Sequence, residues 1–346
     1  MRQAARIVGV GRYLPEQRLT NADLERMVDT SDQWIVERSG IRERRIAADG
    51  ETSSSMGAEA ARQALASAEL QPDDIDLVIV GTCTPDGMFP ATATLVQDAI
   101  GAHHAAAFDV NAACTGFLVA LSTAGQFIAT GDTQRALVVG TETMSRIVDW
   151  TDRGTCVLFG DGAGATVLER SQDGEPGAVE SFLLGSDGSQ ADLLYAPGPA
   201  SARVNGAAPP AHIIMDGRSV FRQAITAMSE AATEALRSAG LGIDEIALCI
   251  PHQANLRILN AAARNLGLPE ERVYVNVDRY GNTSSATIPI ALAEATAEGR
   301  LTSGDHVLLV AFGGGLSWGA MVLQWSGVRA PISTLEAESR RSTVTR

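Results

Sequence analysis

The 346-residue chain contains no lysine: all 27 of its basic residues are arginine, set against 41 acidic ones. Without lysine there is no Schiff-base amine, no GK[ST] phosphate loop and no lysine general base. The net charge of −14 argues against nonspecific nucleic-acid binding and against docking on anionic lipid. Cysteine is scarce, and Cys83, Cys114, Cys156 and Cys249 form no CxxC pair. That excludes a zinc ribbon or disulfide scaffold and fits free thiols in a reducing compartment. HExxH is absent, and no metal is expected. No run approaches the ~18 consecutive apolar residues of a membrane span. The opening MRQAARIVGVGRYLP lacks a secretory apolar core. A cytoplasmic globular protein is expected, long enough for two domains.

What the chain does have is a repeat. Residues 64–79, ALASAELQPDDIDLVI, align without gaps on 235–250, ALRSAGLGIDEIALCI, with nine identities in sixteen positions at an offset of 171. Each copy reads as the end of an amphipathic helix, an acidic turn and a buried strand. The same offset sets Leu137–Gly140 on Leu308–Ala311, and GATVL (164–168) resembles GAMVL (319–323). A duplicated α/β unit follows, expected as 1–172 and 173–326. A polar tail, 327–346, is expected to be disordered. The Gly-, Ala- and Pro-rich residues 184–212 are expected to form mobile loops over a site.

The offset also places NAACTGFLVALSTA (111–124) on NTSSATIPIALAEA (282–295), so that Asn111 meets Asn282 and Cys114 meets Ser285. AAFDVNAAC reads as a strand ending in a tight turn, with Cys114 at the start of a helix whose dipole would favour a thiolate. Free cysteines are more often buried and inert, and the other three lie in apolar runs that read as core. His252 ends the strand IALCIPHQ, where open α/β sheets place ligands; a satisfied strand-end histidine is the plainer reading. Asn282 is a turn or cap residue, or a second group facing a shared cleft. Gly315–Gly319, GLSWG, matches the GxSxG nucleophile elbow, which would make Ser317 a hydrolase serine. However, the segment after it reads as a strand rather than the helix an elbow requires.

The segments NADLERMVDTSDQWIVERSGIRERR (21–45), FDVNAACTGF (108–117), TDRGTCVLFGDGAGA (151–165), PHQANLRI (251–258), DRYGNTSSA (278–286) and AFGGGLSWG (311–319) resemble the β-ketoacyl-acyl-carrier-protein synthase III family. Those are the initiating condensing enzymes of type II fatty-acid synthesis. The resemblance implies a thiolase-like α/β fold of two βαβαβαββ halves in a five-layered αβαβα arrangement. It implies a homodimer and no bound cofactor, with acyl-CoA and malonyl-acyl-carrier protein as substrates.

Carried over by residue, the resemblance makes Cys114 the nucleophile and His252 and Asn282 the pair that holds the malonyl thioester. The N–H groups of Cys114 and Gly314 become the oxyanion hole. Trp34 and Arg153 would sandwich the CoA adenine, with Arg38 on a phosphate. Arg222, Arg257 and Arg264 would dock the acidic carrier protein, and Phe89 would enter the dimer partner's acyl pocket. Elongating synthases and thiolases use another residue in place of this asparagine. Three rivals stand beside this reading: a specialised relative with another starter or acceptor, a catalytically silent partner subunit, and the Ser317 hydrolase.

Overall fold

The computed structural model describes residues 5–172, 177–198, 201 and 211–329. The chain opens with β1 (Ala5–Tyr13). A ribbon of β2 (Gln17–Thr20) and β3 (Glu43–Ile46) follows, with helices α1 (Asn21–Leu24) and α2 (Asp32–Ser39) between its strands. Next come α3 (Ser53–Ser67), β4 (Leu77–Gly81), α4 (Thr92–Ile100), β5 (Ala106–Val110), α5 (Gly116–Thr130), β6 (Arg135–Thr143) and β7 (Asp161–Arg170). With the ribbon set aside, the order is βαβαβαββ. These strands form one sheet, ordered β1-β7-β6-β4-β5, in which β4 runs parallel to β5 and β6.

The pattern then repeats. β8 (Ala178–Ser186) is followed by the short pair β9 (Leu194–Tyr195) and β10 (Ile214–Met215), α6 (Gly217–Ala239), β11 (Ile246–Pro251) and α7 (Leu256–Leu266). The chain continues through α8 (Val277–Tyr280), α9 (Thr287–Ala297), β12 (His306–Gly313) and β13 (Ser317–Gln324). The second sheet, β11-β12-β13-β8, lacks a full counterpart of β5. A single parallel bridge, Cys249 to Val273, takes its place. The reason is local: the Gln253 side-chain oxygen accepts the Asn276 and Val277 N–H groups at 3.0 and 3.2 Å. A continuing strand would have given such donors to its neighbour.

Five layers result. α3 and α4 cover the outer face of the first sheet through Ala60, Ala61, Ala64 and Val96 against Val78, Val80 and Val139. α6 and α7 cover the outer face of the second through Ala232, Ala235 and Ile258 against Leu308, Val310 and Val322. Between the sheets lie α5 and α9, whose Phe117, Leu121, Ile288 and Leu292 are buried against Ile79, Val138, Leu309 and Met321. By length and hydropathy alone Ala113–Thr130 could cross a membrane, but here its apolar side chains fill the middle layer. The thiolase-like arrangement expected from sequence is therefore present. The repeated segments fall on equivalent elements: α3 to β4 matches α6 to β11, β6 matches β12, and β7 matches β13.

Two stretches expected to be loose hold more structure than their composition suggests. Within 184–212, β8 extends to Ser186, a 3-10 turn spans Gly188–Leu193, and β9 pairs with β10. Residues 199, 200 and 202–210 lie outside the described residues. Of the expected tail, Val328 packs on the central core and the Arg329 carbonyl accepts the Ser67 hydroxyl at 2.8 Å. Residues 330–346 lie outside the described residues.

Candidate active site

The duplication brings two similar turns together at the start of the two central helices. Ala113, before Cys114, has φ 45°, and Ser284, before Ser285, has φ 49°. Both are left-handed conformations that a side chain resists. Each is held the same way: Asn111 Oδ1 accepts the Ala113 N–H at 3.3 Å, and Asn282 Oδ1 accepts the Ser284 N–H at 2.8 Å. Cys114 thus projects from a strained turn directly before α5. The Asn282 carbonyl and N–H are pinned to Gly160 and Leu158 at 3.1 and 2.8 Å. With Oδ1 occupied, the Asn282 amide nitrogen remains to donate to a ligand.

His252 follows the last residue of β11. Its N–H bonds the Val310 carbonyl at 2.8 Å, its Nδ1 lies 2.7 Å from Thr287 Oγ1, and among the described residues its Nε2 has no partner. The loop after β12 closes against the nucleophile. A Cβ on Gly313 would sit 2.8 Å from the Cys114 nitrogen and 2.9 Å from its Cβ. Among the described residues, neither the Cys114 nor the Gly314 N–H bonds a backbone carbonyl outside the helices and strands. Ser317 ties the two pieces together, with its Oγ 2.6 Å from Thr115 Oγ1, 3.0 Å from the Gly314 carbonyl and 3.3 Å from the Ala112 carbonyl. Ser317 opens β13, which pairs antiparallel with β12. The strand-to-helix elbow of a serine hydrolase is therefore absent. Gly313→Ala should displace Cys114 and lower its rate of acylation by about 10²-fold, since misplacing a reacting group by ~1 Å costs that much. Intact-mass kinetics of acyl-adduct formation check it.

Electrostatics corrects one expectation. The helix dipole was expected to favour a thiolate, but burial pushes the Cys114 thiol up to about 12. The Ser284 hydrogen bond opposes that rise and the Glu142 carboxylate adds to it. Burial lowers His252 to about 3. At neutral pH the resting pair is therefore a thiol and an uncharged imidazole. Cys83 adds to what was expected: it packs against a core cluster, but it also lines the cavity. The chain leaves the sheet at the end of β4, and Cys83 Sγ lies 3.4 Å from both Glu142 oxygens and 3.7 Å from Ser284 Oγ. All four thiols are free.

Cys114, His252, Asn282, Gly314 and Cys83 line one cavity of about 1380 Å³, which runs out past Trp34, Arg38, Arg222 and Arg257. Among the described residues no cluster of three metal-ligating side chains occurs.

Comparison with known proteins fits this arrangement. The family description "3-Oxoacyl-[acyl-carrier-protein (ACP)] synthase III" matches residues 108–188, and its C-terminal counterpart matches 236–325. The β-ketoacyl-acyl-carrier-protein synthase III of Desulfitobacterium hafniense is 53% identical over 326 residues, 92% of this chain and 97% of that protein. The crystal structure of the 3-oxoacyl-acyl-carrier-protein synthase III from Aquifex aeolicus superposes with a TM-score of 0.87 at 48% identity, covering 93% of this chain and all of that one. The chain belongs to the β-ketoacyl-acyl-carrier-protein synthase III family. It is an acyltransferase of fatty-acid synthesis that catalyses the initiating condensation. A priming β-ketosynthase of a polyketide pathway, 37% identical with a TM-score of 0.87 over 94% of this chain and 98% of that one, shares the fold.

Within this synthase III site, the residues expected from sequence fall into two groups. The Arg38 and Arg153 guanidinium carbons lie 4.7 and 5.3 Å from the centre of the Trp34 ring. Arg153 also bonds the Asp29 carbonyl at 2.7 Å. Arg222 and Arg257 line the cavity mouth; Arg264, in the last turn of α7, does not. Phe89 is 84% exposed beside Met88 at 70% and stands outside its own cavity. Sequence reasoning missed Arg218, which joins Arg222 at the mouth and whose i,i+4 spacing to it was readable. It also missed Thr115, Ser284 and Thr287, whose positions depend on chain crossings that leave no local pattern.

Proposed function

We propose that Cys114 attacks the thioester of an acyl-CoA, and that the acyl-enzyme then condenses with malonyl-acyl-carrier protein to give the 3-oxoacyl-acyl-carrier protein. The observation that carries this reading is the convergence of Cys114, the unpartnered His252 Nε2 and the Asn282 amide on one cavity. In the first half-reaction the Cys114 S–H bond is replaced by a bond to the acyl carbon. The CoA sulfur leaves and takes up the proton. The N–H groups of Cys114 and Gly314 suit the tetrahedral oxyanion.

In the second half-reaction the malonyl carboxylate departs as carbon dioxide, leaving its electron pair on the thioester enolate. The enolate carbon attacks the acyl group, and the Cys114 sulfur leaves and is reprotonated from solvent. His252 and Asn282 hold the enolate oxygen; both are uncharged at neutral pH. No bound cofactor or metal is part of this cycle.

The CoA adenine would lie between Trp34 and Arg153. At 5.3 Å that gap is narrower than the ~7 Å needed for two stacking contacts of ~3.5 Å, so Arg153 must swing outward as the base enters. The Arg222 and Arg257 rim, with Arg264 farther along α7, fits an acidic carrier protein approaching a chain of net charge −14; a local basic patch steers such a partner. Exposed Phe89 and Met88 support a homodimer in which Phe89 reaches the partner's acyl pocket. A cytoplasmic location accords with the four free thiols.

The test is direct. Labelled acetyl-CoA should mark Cys114 and release CoA in equal amount, and malonyl-carrier protein should then discharge the label as 3-oxoacyl product with carbon dioxide. Label on another residue overturns the reading. A kcat/KM series over acetyl-, isobutyryl- and longer acyl-CoAs identifies the starter.

A further inference from the structure

The contact between Thr287 and His252 determines which ring nitrogen carries the proton. Thr287 Oγ1 is 2.7 Å from His252 Nδ1 and 3.0 Å from the Ser284 carbonyl. One hydroxyl proton serves one of them. An O–H donor bonds at about 2.7–2.8 Å and an N–H donor at about 2.9–3.0 Å. The 2.7 Å contact to Nδ1 fits the hydroxyl donating into the ring; the same proton given instead to the Ser284 carbonyl would leave Nδ1 as the donor. The Ser284 carbonyl loses nothing, because it already accepts the Thr287 N–H.

From this we propose that Thr287 is a positioning residue that fixes His252 in the tautomer bearing its proton on Nε2, so that the imidazole faces the cavity as an uncharged hydrogen-bond donor. Three observations converge. Thr287 is 3% exposed and His252 1%, so water does not compete for the contact. Among the described residues Nε2 is buried without a partner, as suits a donor whose acceptor arrives with the substrate. Thr287 is the first residue of α9, three residues after Ser284 of the second strained turn. The fold that places Asn282 therefore also places the group that orients His252.

The inference rests on the reading of His252 as a holder of the enolate oxygen and deepens it. His252 is a donor in the second half-reaction and is not the base that takes the Cys114 proton in the first. Such an arrangement needs no change of charge on the imidazole at any step. It also explains why a histidine with a deeply depressed pKa suits the site, since donation from Nε2 does not require protonation of the ring.

The experiment has two arms. In 15N-histidine-labelled protein, the His252 signals, assigned by their loss in His252→Ala, should report a protonated Nε2 and a bare Nδ1 throughout pH 6–8. Kinetically, Thr287→Val should slow condensation by about 10–100-fold, the usual cost of removing such a supporting hydrogen bond, while acylation of Cys114 by acetyl-CoA keeps its rate. Thr287→Ser should restore condensation. A proton on Nδ1 in the unaltered protein overturns the proposal whatever the variants do. So does a Thr287→Val enzyme that condenses normally, or one that loses acylation and condensation equally, as a packing defect would. Failure of the unaltered protein to form any acyl-Cys114 would instead sink the functional reading and leave the tautomer measurement standing.

Discussion

Cys114→Ala is expected to abolish the acyl adduct and to lower condensation on the order of 10⁶-fold, the scale on which removing a covalent nucleophile acts. Malonyl decarboxylation should survive in the same variant. The reason lies in the division of the site. Cys114 stands on the first strained turn, whereas His252 directly follows β11 and Asn282 belongs to the second turn, and neither is positioned through the sulfur. Carbon dioxide released from malonyl-carrier protein without 3-oxoacyl product is the signature to measure. Its loss in parallel with acylation would mean that the sulfur also organises the malonyl half.

The same thiol gives a pH dependence. Burial holds Cys114 near 12, so the resting enzyme carries little thiolate at neutral pH. The rate of Cys114 alkylation by iodoacetamide should climb steadily from pH 7 to pH 10. A raised pKa keeps the thiol protonated up to that value, so no plateau is expected in this window. A plateau below pH 8 would show a thiolate already formed.

The doubled architecture was legible because a repeated packing problem imposes a repeated pattern. Ala-rich helix faces that bury on a sheet, and apolar strands buried on both sides, recur wherever the unit recurs. The Asn111 and Asn282 equivalence was legible for a related reason, since each turn needs an acceptor for one stranded N–H. What was hidden depends on the third dimension. Alanine and serine do not announce a positive φ as glycine does, so the strain at Ala113 and Ser284 left no mark. The helix dipole at Cys114 could be read from spacing, but the burial that outweighs it could not. Cys83 sits in an apolar run, yet the run ends two residues earlier, at Gly81, and the turn delivers the thiol into the cavity. Residues 270–277 include three valines suited to a strand, but a glutamine from another segment takes the Asn276 and Val277 donors.

The separation of roles is sharpest at Asn282. Asn282→Ala should lower condensation by about 10²–10³-fold, the cost of losing one donor to a developing oxyanion. That variant also releases the Ser284 N–H, so a loss of rate by itself mixes chemistry with support. Asn282→Asp resolves the two. The aspartate keeps an oxygen for the Ser284 N–H, and with it the turn, but replaces the donating NH₂ with a second acceptor that repels the enolate. If Asn282 acts as a donor, Asn282→Asp should retain the thermal stability and the acylation rate of the unaltered protein and condense no better than Asn282→Ala. If its contribution were only to hold the turn, the aspartate would condense normally. His252→Ala should behave like the loss of the amide. Because both donors address one oxygen, the double variant should lose less than the product of the two single losses. Purely multiplicative losses would place the two side chains on separate atoms of the substrate.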